Sequence, residues 1–134
     1  MSTGCITVIF DDDDGEIAVL FRHGDGYPEV HGVELAKFLS TRILCSGLGG
    51  KIIDGKQWAN GMNCLAAQIV AHFKVAPGGF YLYPANAASI GEMYTYEVFC
   101  KGPGHDFNIC ILERNSVIFN GTPEELLEKF AKKD

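Results

Sequence analysis

Eleven consecutive residues, Arg22-His23-Gly24-Asp25-Gly26-Tyr27-Pro28-Glu29-Val30-His31-Gly32, hold two of the chain's four histidines with an arginine, two carboxylates and a tyrosine. No other segment of this length concentrates as much chemistry. Gly24, Gly26 and Gly32 allow positive φ or close backbone approach, while Pro28 fixes its own φ and biases Tyr27 towards an extended conformation. The segment is therefore expected to be a shaped loop whose polar side chains are aimed.

Three chemistries are open to it. His23, Asp25, Glu29 and His31 could ligate a metal, zinc first, but their spacing matches no recognised ligand pattern, and histidines beside glycine and proline more often hydrogen-bond to backbone in a turn. His23 with Asp25, or His105 with Asp106, could act as acid and base, yet no G-x-S-x-G element or repeated H-x-[ST] pattern accompanies them. Noncatalytic capture of a nucleotide-like ligand is the third. It needs aromatic platforms, arginine and donors, and Phe80, Tyr81, Tyr83, Tyr94 and Tyr96, with Asn86 and Ser89 between them, supply such groups. Aromatics of this kind more often serve the core or cross-strand packing. Strand alternation puts Phe80 and Leu82 on one side and Tyr81 and Tyr83 on the other.

These residues must be positioned by regular elements. Residues 5–10 and 17–21 are apolar and β-branched around a polar turn containing Asp14-Gly15, which predicts a hairpin. The four aspartates at its tip lack the D-x-D-x-D-G-x₅-E calcium pattern and are read as a solvated turn. An amphipathic helix is expected over 30–45, with Leu35, Phe38, Leu39 and Ile43 on one side, ended by the connector Gly47-Leu48-Gly49-Gly50. That glycine run has neither nucleotide-binding spacing. Met62, Leu65, Ala66, Ile69, Val70 and Phe73 form the clearest helical stripe, with Asn63 and Gln68 mostly outside it as surface or ligand-reading amides. Strands are expected at 80–83, 94–101, 107–113 and 116–119. Thr122-Pro123-Glu124-Glu125 then reads as a capping box opening a short C-terminal helix that ends at Lys132-Lys133.

The order β-β-α-α-β-β-β-β-α indicates one α+β domain over 1–134, with a mainly antiparallel sheet of about six strands, two central helices on one face and a short C-terminal helix. A chain of 134 residues, 47% hydrophobic, is long enough to bury one core. Its net charge of −6 argues against a protein that coats duplex nucleic acid, which needs a broad basic face. Apolar runs are strand-length, so no membrane partner is expected, and residues 1–5 lack a basic region before an apolar one, so a cytoplasmic protein is expected. The five cysteines form no C-x-x-C pair and are read as reduced thiols.

Three segments together, R-H-G-D-G-Y-P-E-V-H-G at 22–32, A-N-G-M-N-C-L-A-A-Q at 59–68 and G-G-F-Y-L-Y-P at 78–84, carry a family resemblance. Over roughly residues 5–100 the chain resembles small phage- and prophage-encoded proteins, most closely the first family of Thoeris anti-defence proteins. The resemblance implies an α+β protein assembling as dimers or dimer-based oligomers. It implies sequestration, without cleavage, of cyclic ADP-ribose isomers made by bacterial TIR-domain enzymes, and some relatives are associated with cyclic oligonucleotides. It implies Phe80 as the base-stacking aromatic and Arg22 and Arg114 as phosphate partners. No cofactor and no catalytic or metal-ligating residue is expected on this reading.

The expected ligand-binding set is thus Arg22, His23, Phe80, Tyr81, Tyr83 and Arg114, serving a sequestering protein in the host bacterial cytoplasm. Two alternatives stand beside it: a small hydrolase or metal-dependent enzyme using the His/Asp-rich loop 22–32, and a protein-binding inhibitor of a host factor. Within the sponge reading, loop 22–32 becomes a turn that anchors the first helix and lends Arg22 or His23 to a pocket.

Overall fold

The computed structural model describes residues 2–45 and 55–132. The glycine run at 47–50 and Lys133, both assigned roles above, lie outside them. Strands β1 (Gly4–Phe10) and β2 (Glu16–Arg22) form the expected antiparallel hairpin. Its aspartates serve the turn, because one Asp11 carboxylate oxygen accepts the N–H groups of Asp13 and Gly15, each at 2.9 Å. Asp11 thereby satisfies donors that the reversal leaves unpaired, as short acidic side chains do in turns.

The remaining elements are helix α1 (Val33–Ser40), β3 (Arg42–Cys45), β4 (Gln57–Asn60), α2 (Gly61–Phe73), β5 (Phe80–Tyr83), β6 (Glu92–Cys100), β7 (Phe107–Glu113), β8 (Ser116–Gly121) and α3 (Pro123–Phe130). Six strands form one sheet in the order β5-β2-β1-β6-β7-β8, and β3 pairs with β4 in a separate two-stranded sheet. The main sheet is antiparallel except at its centre, where β1 and β6 run parallel with Ile6 beside Thr95 and Val8 beside Glu97. The architecture is the expected α+β one.

Alternation along the strands divides the side chains between two unlike faces. On one face Cys5, Ile9, Leu20, Tyr96, Val98, Ile109 and Ile111 join a single apolar cluster with Leu35, Phe38, Leu39, Leu65, Ile69 and Leu126. All three helices contribute to that cover, not two central helices alone. On the other face Ile6, Val8, Val19 and Phe21 form a smaller cluster, against which Phe10, Tyr83, Ala87 and Ile90 pack. Ala87 and Ile90 belong to a strap, residues 84–91, that crosses this face, which among the described residues is otherwise helix-free.

The helix expected over 30–45 is broken into three pieces. Residues Pro28–Gly32 make a turn of π-helix, and α1 ends at Ser40. The apolar stripe misled because Ile43 continues it in phase. Arg42–Cys45 instead pairs in parallel with Gln57–Asn60, residue against residue, a partner that local periodicity cannot reveal. The capping box, by contrast, forms as read: Thr122 Oγ1 accepts the Glu125 N–H at 3.2 Å, and Glu125 Oε1 accepts the Thr122 N–H at 2.8 Å.

Both edges of the main sheet are guarded. The His23 N–H to Gly79 O bond sets the β2–β5 alternation so that Phe80 turns its main-chain groups outward. Its N–H donates to Gly78 O at 2.8 Å, and Lys74 Nζ donates to the Phe80 carbonyl at 2.8 Å. At the opposite edge Lys129 Nζ donates to Ile118 O at 3.4 Å. Lysine on an edge opposes strand addition. A Lys74→Ala/Lys129→Ala variant is therefore expected to shift towards larger species than the unaltered protein in size-exclusion chromatography with light scattering. An unchanged mass distribution would show that these lysines do not guard the edges.

Candidate functional site

Loop 22–32 divides its polar side chains between inside and outside. His23, Asp25, Tyr27 and Glu29 are exposed, whereas His31 is completely buried. The four residues considered as metal ligands therefore do not converge. Tyr27 O gathers the N–H groups of Val30, His31 and Gly32 at 3.0, 2.8 and 3.4 Å, which turns the chain and drives the His31 ring inward. There it packs against Tyr96 and Phe73, with ring centroids 4.7 and 5.0 Å away.

The His31 tautomer follows from its partners. Arg22 Nη1 lies 3.3 Å from Nδ1, and a guanidinium can only donate, so Nδ1 is the acceptor and Nε2 carries the proton. Nε2 then donates to Thr7 Oγ1 at 2.7 Å. Burial first, and the Arg22 charge second, lower the His31 pKa from its ordinary value to about 3. Arg22 is itself engaged: Nη1 donates to Glu34 Oε2 at 2.9 Å, Nε donates to Gly24 O at 2.8 Å, and the guanidinium lies over the Phe80 ring at 5.1 Å.

The same loop is stitched to the sheet by backbone. Gly26 N–H donates to Thr3 O at 2.8 Å, and the Tyr96 hydroxyl donates to Gly26 O at 2.7 Å. A Cβ at Gly26 would stand 2.8 Å from Cys5 Cβ and 2.9 Å from Thr3 O, so only glycine fits this approach. Cys5, beneath it, has its thiol pushed up to about 12, chiefly by burial. Such a thiol is inert at neutral pH.

The helix-free face offers a different environment. A cleft of about 510 Å³ opens beside the strap, with Ile6, Val8, Thr95, Glu97 and Leu112 from the sheet and Arg114 at its rim. The volume lies in the range of small-ligand sites. Among the described residues five non-glycine positions have positive φ, and three of them line this cleft: Asn86 (70°), Ser89 (57°) and Arg114 (58°). Left-handed backbone at residues other than glycine is costly and concentrates at sites where shape matters. The strap is pinned by carboxylates. Glu16 accepts the Asn86 N–H at 2.7 Å, and the two oxygens of Glu92 accept Ser89 and Ile90 N–H groups at 3.0 and 2.8 Å.

The six residues singled out from the sequence fall in three places. Arg22 and Phe80 stack on the helix-covered face, where Phe80 also meets Phe73 at 5.3 Å. Tyr81, Tyr83 and His23 surround Phe21, with centroids 6.4, 6.2 and 6.5 Å away. Tyr83 there helps to back the strap. Arg114 alone lines the cleft, where the chain reverses between β7 and β8. Gln68, considered as a ligand reader, accepts from Arg42 Nε and donates to Trp58 O, both at 3.3 Å, and so ties α2 to the small sheet. His105 and Asp106 border a separate depression with Asp11, Asp12 and Asp14. Sequence reading noted Asn86 and Ser89 of the strap but passed over Glu97. The available signal was a glutamate in the middle of an otherwise apolar and aromatic strand.

No family model matches this chain, and no curated protein or solved structure matches it either.

Two outcomes follow from the buried network. The folded state disfavours the proton that His31 takes up when unfolded, so this contribution to stability is complete above pH 6.5 and is lost as pH falls towards 3. Urea unfolding between pH 4 and 8 is expected to show this fall. His31→Gln should flatten it, and an equally steep fall in that variant would place the proton uptake elsewhere. Phe80→Ala should lower stability by about 2 kcal/mol, because the ring packs between Arg22 and Phe73; an unchanged melting temperature would show that this packing contributes nothing.

Proposed function

We propose that this chain is a phage-type counter-defence protein that captures a cyclic nucleotide signal and holds it without cleaving it. The observation that carries this reading is the gathering of Asn86, Ser89 and Arg114, each in left-handed backbone, around one cleft on the helix-free face. The strap side of this rim is held by Glu16 and Glu92, and Arg114 by its N–H bond to Met93 O in the β7–β8 turn, so the rim is preorganised, which favours tight, slow-dissociating binding. The resemblance of segments 22–32, 59–68 and 78–84 to the first Thoeris anti-defence family supplies the ligand class: a cyclic ADP-ribose isomer or a cyclic oligonucleotide. The setting that goes with it is the host bacterial cytoplasm. Among the described residues no helix is long and apolar enough to cross a membrane.

The alternative of a hydrolase or metal enzyme on loop 22–32 is less well supported. His31, one of its two histidines, is sealed inside the protein against Thr7 and Arg22, where it reaches no substrate. The third reading, an inhibitor that binds a host protein, gains no particular support from the acidic surface.

The cleft has one arginine among three carboxylates. A pyrophosphate in it requires further cations, and a second copy of the chain is the economical source, which favours a dimer or dimer-based assembly. With lysines on both sheet edges, the helix-free face is the better surface for that contact.

Incubation with a cyclic ADP-ribose isomer, and separately with a cyclic dinucleotide, followed by heat denaturation, tests the reading. The expected result is depletion of free ligand before heating and recovery of intact ligand after it. A cleaved product would replace the sponge by an enzyme, and no depletion of either ligand would remove both. Arg114→Ala should weaken capture by about tenfold, through loss of one charge-assisted contact.

A further inference from the structure

Of the three carboxylates in the cleft, two have structural duties. Glu16 and Glu92 hold the strap through backbone N–H groups. Glu97 does not. It stands on β6 at the centre of the sheet, beside Val8 of β1 and Cys110 of β7, and its carboxylate has no hydrogen-bond or ion-pair partner among the described residues. Burial, and then the charge of Glu16, raise its pKa. The free protein thus carries a half-buried carboxylate facing a ligand-sized space with nothing in the protein to compensate it, an arrangement typical of functional sites.

An ionised carboxylate accepts hydrogen bonds and donates none, and it is best satisfied by two parallel N–H groups. Guanine presents two adjacent donors, N1–H and the N2 amino group, on one edge. Adenine and cytosine present a donor next to a ring-nitrogen lone pair, and uracil presents a donor between carbonyl oxygens, so each of these sets an acceptor against one carboxylate oxygen. Arg114 lies at the rim, four residues from the position opposite Glu97, about 13 Å along the strand at Cα. Two long side chains shorten that gap towards the length of a mononucleotide. On the reading of this cleft as a nucleotide site, we infer that it takes a guanine base on Glu97, with the attached phosphate at Arg114, which within that reading selects a guanine-bearing cyclic oligonucleotide over the adenine-bearing cyclic ADP-ribose.

Calorimetric titration of the intact protein and of Glu97→Gln with GMP, AMP, CMP and UMP at pH 7 tests the inference. GMP is expected to bind about tenfold more tightly than the other three, the usual worth of a bidentate base contact. In Glu97→Gln, whose amide keeps one acceptor oxygen and sets its NH2 group against the second guanine donor, this preference should shrink to about twofold or less. The variant should melt at the same temperature or higher, since an uncompensated charge beside Glu16 is removed. Equal affinity for all four nucleotides, or a guanine preference surviving in Glu97→Gln, would overturn the base assignment while nucleotide capture stands. Failure of all four to bind would overturn the inference together with the reading of the cleft.

Discussion

Placing a histidine in the interior of a small α+β domain constrains almost everything around it. Imidazole is tolerated there only if both nitrogens are satisfied and the ring stays neutral. Thr7 on β1 takes the Nε2 proton, and Arg22 on β2 donates to Nδ1. Arg22 must in turn be held by Glu34 on α1 and by the Gly24 carbonyl. One buried ring therefore ties the first hairpin to the first helix. It explains why loop 22–32 reverses tightly at Tyr27 and why the first turn of α1 carries the carboxylate of Glu34.

This network also redirects function. The segment richest in chemically capable side chains is the one whose inward-facing members are already engaged. Arg22 stacks on Phe80, Phe80 on Phe73, and Phe73 on His31, a continuous run on the helix-covered face. Among the described residues the opposite face has the strap over it and no helix. There, side chains with unused hydrogen-bonding capacity meet open space, and Glu97 and Arg114 stand where a ligand can reach them.

How much of this was legible beforehand depends on the range of the interaction concerned. The β1–β2 hairpin, α2 and the Thr122–Glu125 capping box rest on signals within a few residues, and they form as read. Strand β3 does not, because Ile43 extends the stripe of α1 while the decisive partner, Trp58 and its neighbours, lies about fifteen residues further along the chain. The parallel pairing of β1 with β6 is hidden for the same reason: it joins residues about ninety apart. Alternation did separate Tyr81 and Tyr83 from Phe80. It left open which face the helices would cover, so Phe80 stood out as a platform before the structure placed it in packing. Glu97 escaped notice because one glutamate within a strand acquires meaning only when Val8, the strap and Arg114 are known to surround it.

The direct measurement of where this protein engages a ligand is amide hydrogen exchange on the intact chain, with and without a cyclic dinucleotide as the probe for the proposed capture. Added protection is expected at Asn86, Ser89, Ile90 and Arg114, where a ligand in the cleft would suppress the local opening through which these bonded amides exchange, with little change through 22–32, which contributes no residue to the cleft. Protection concentrated in 22–32, with the strap unaffected, would contradict the placement of function on the helix-free face.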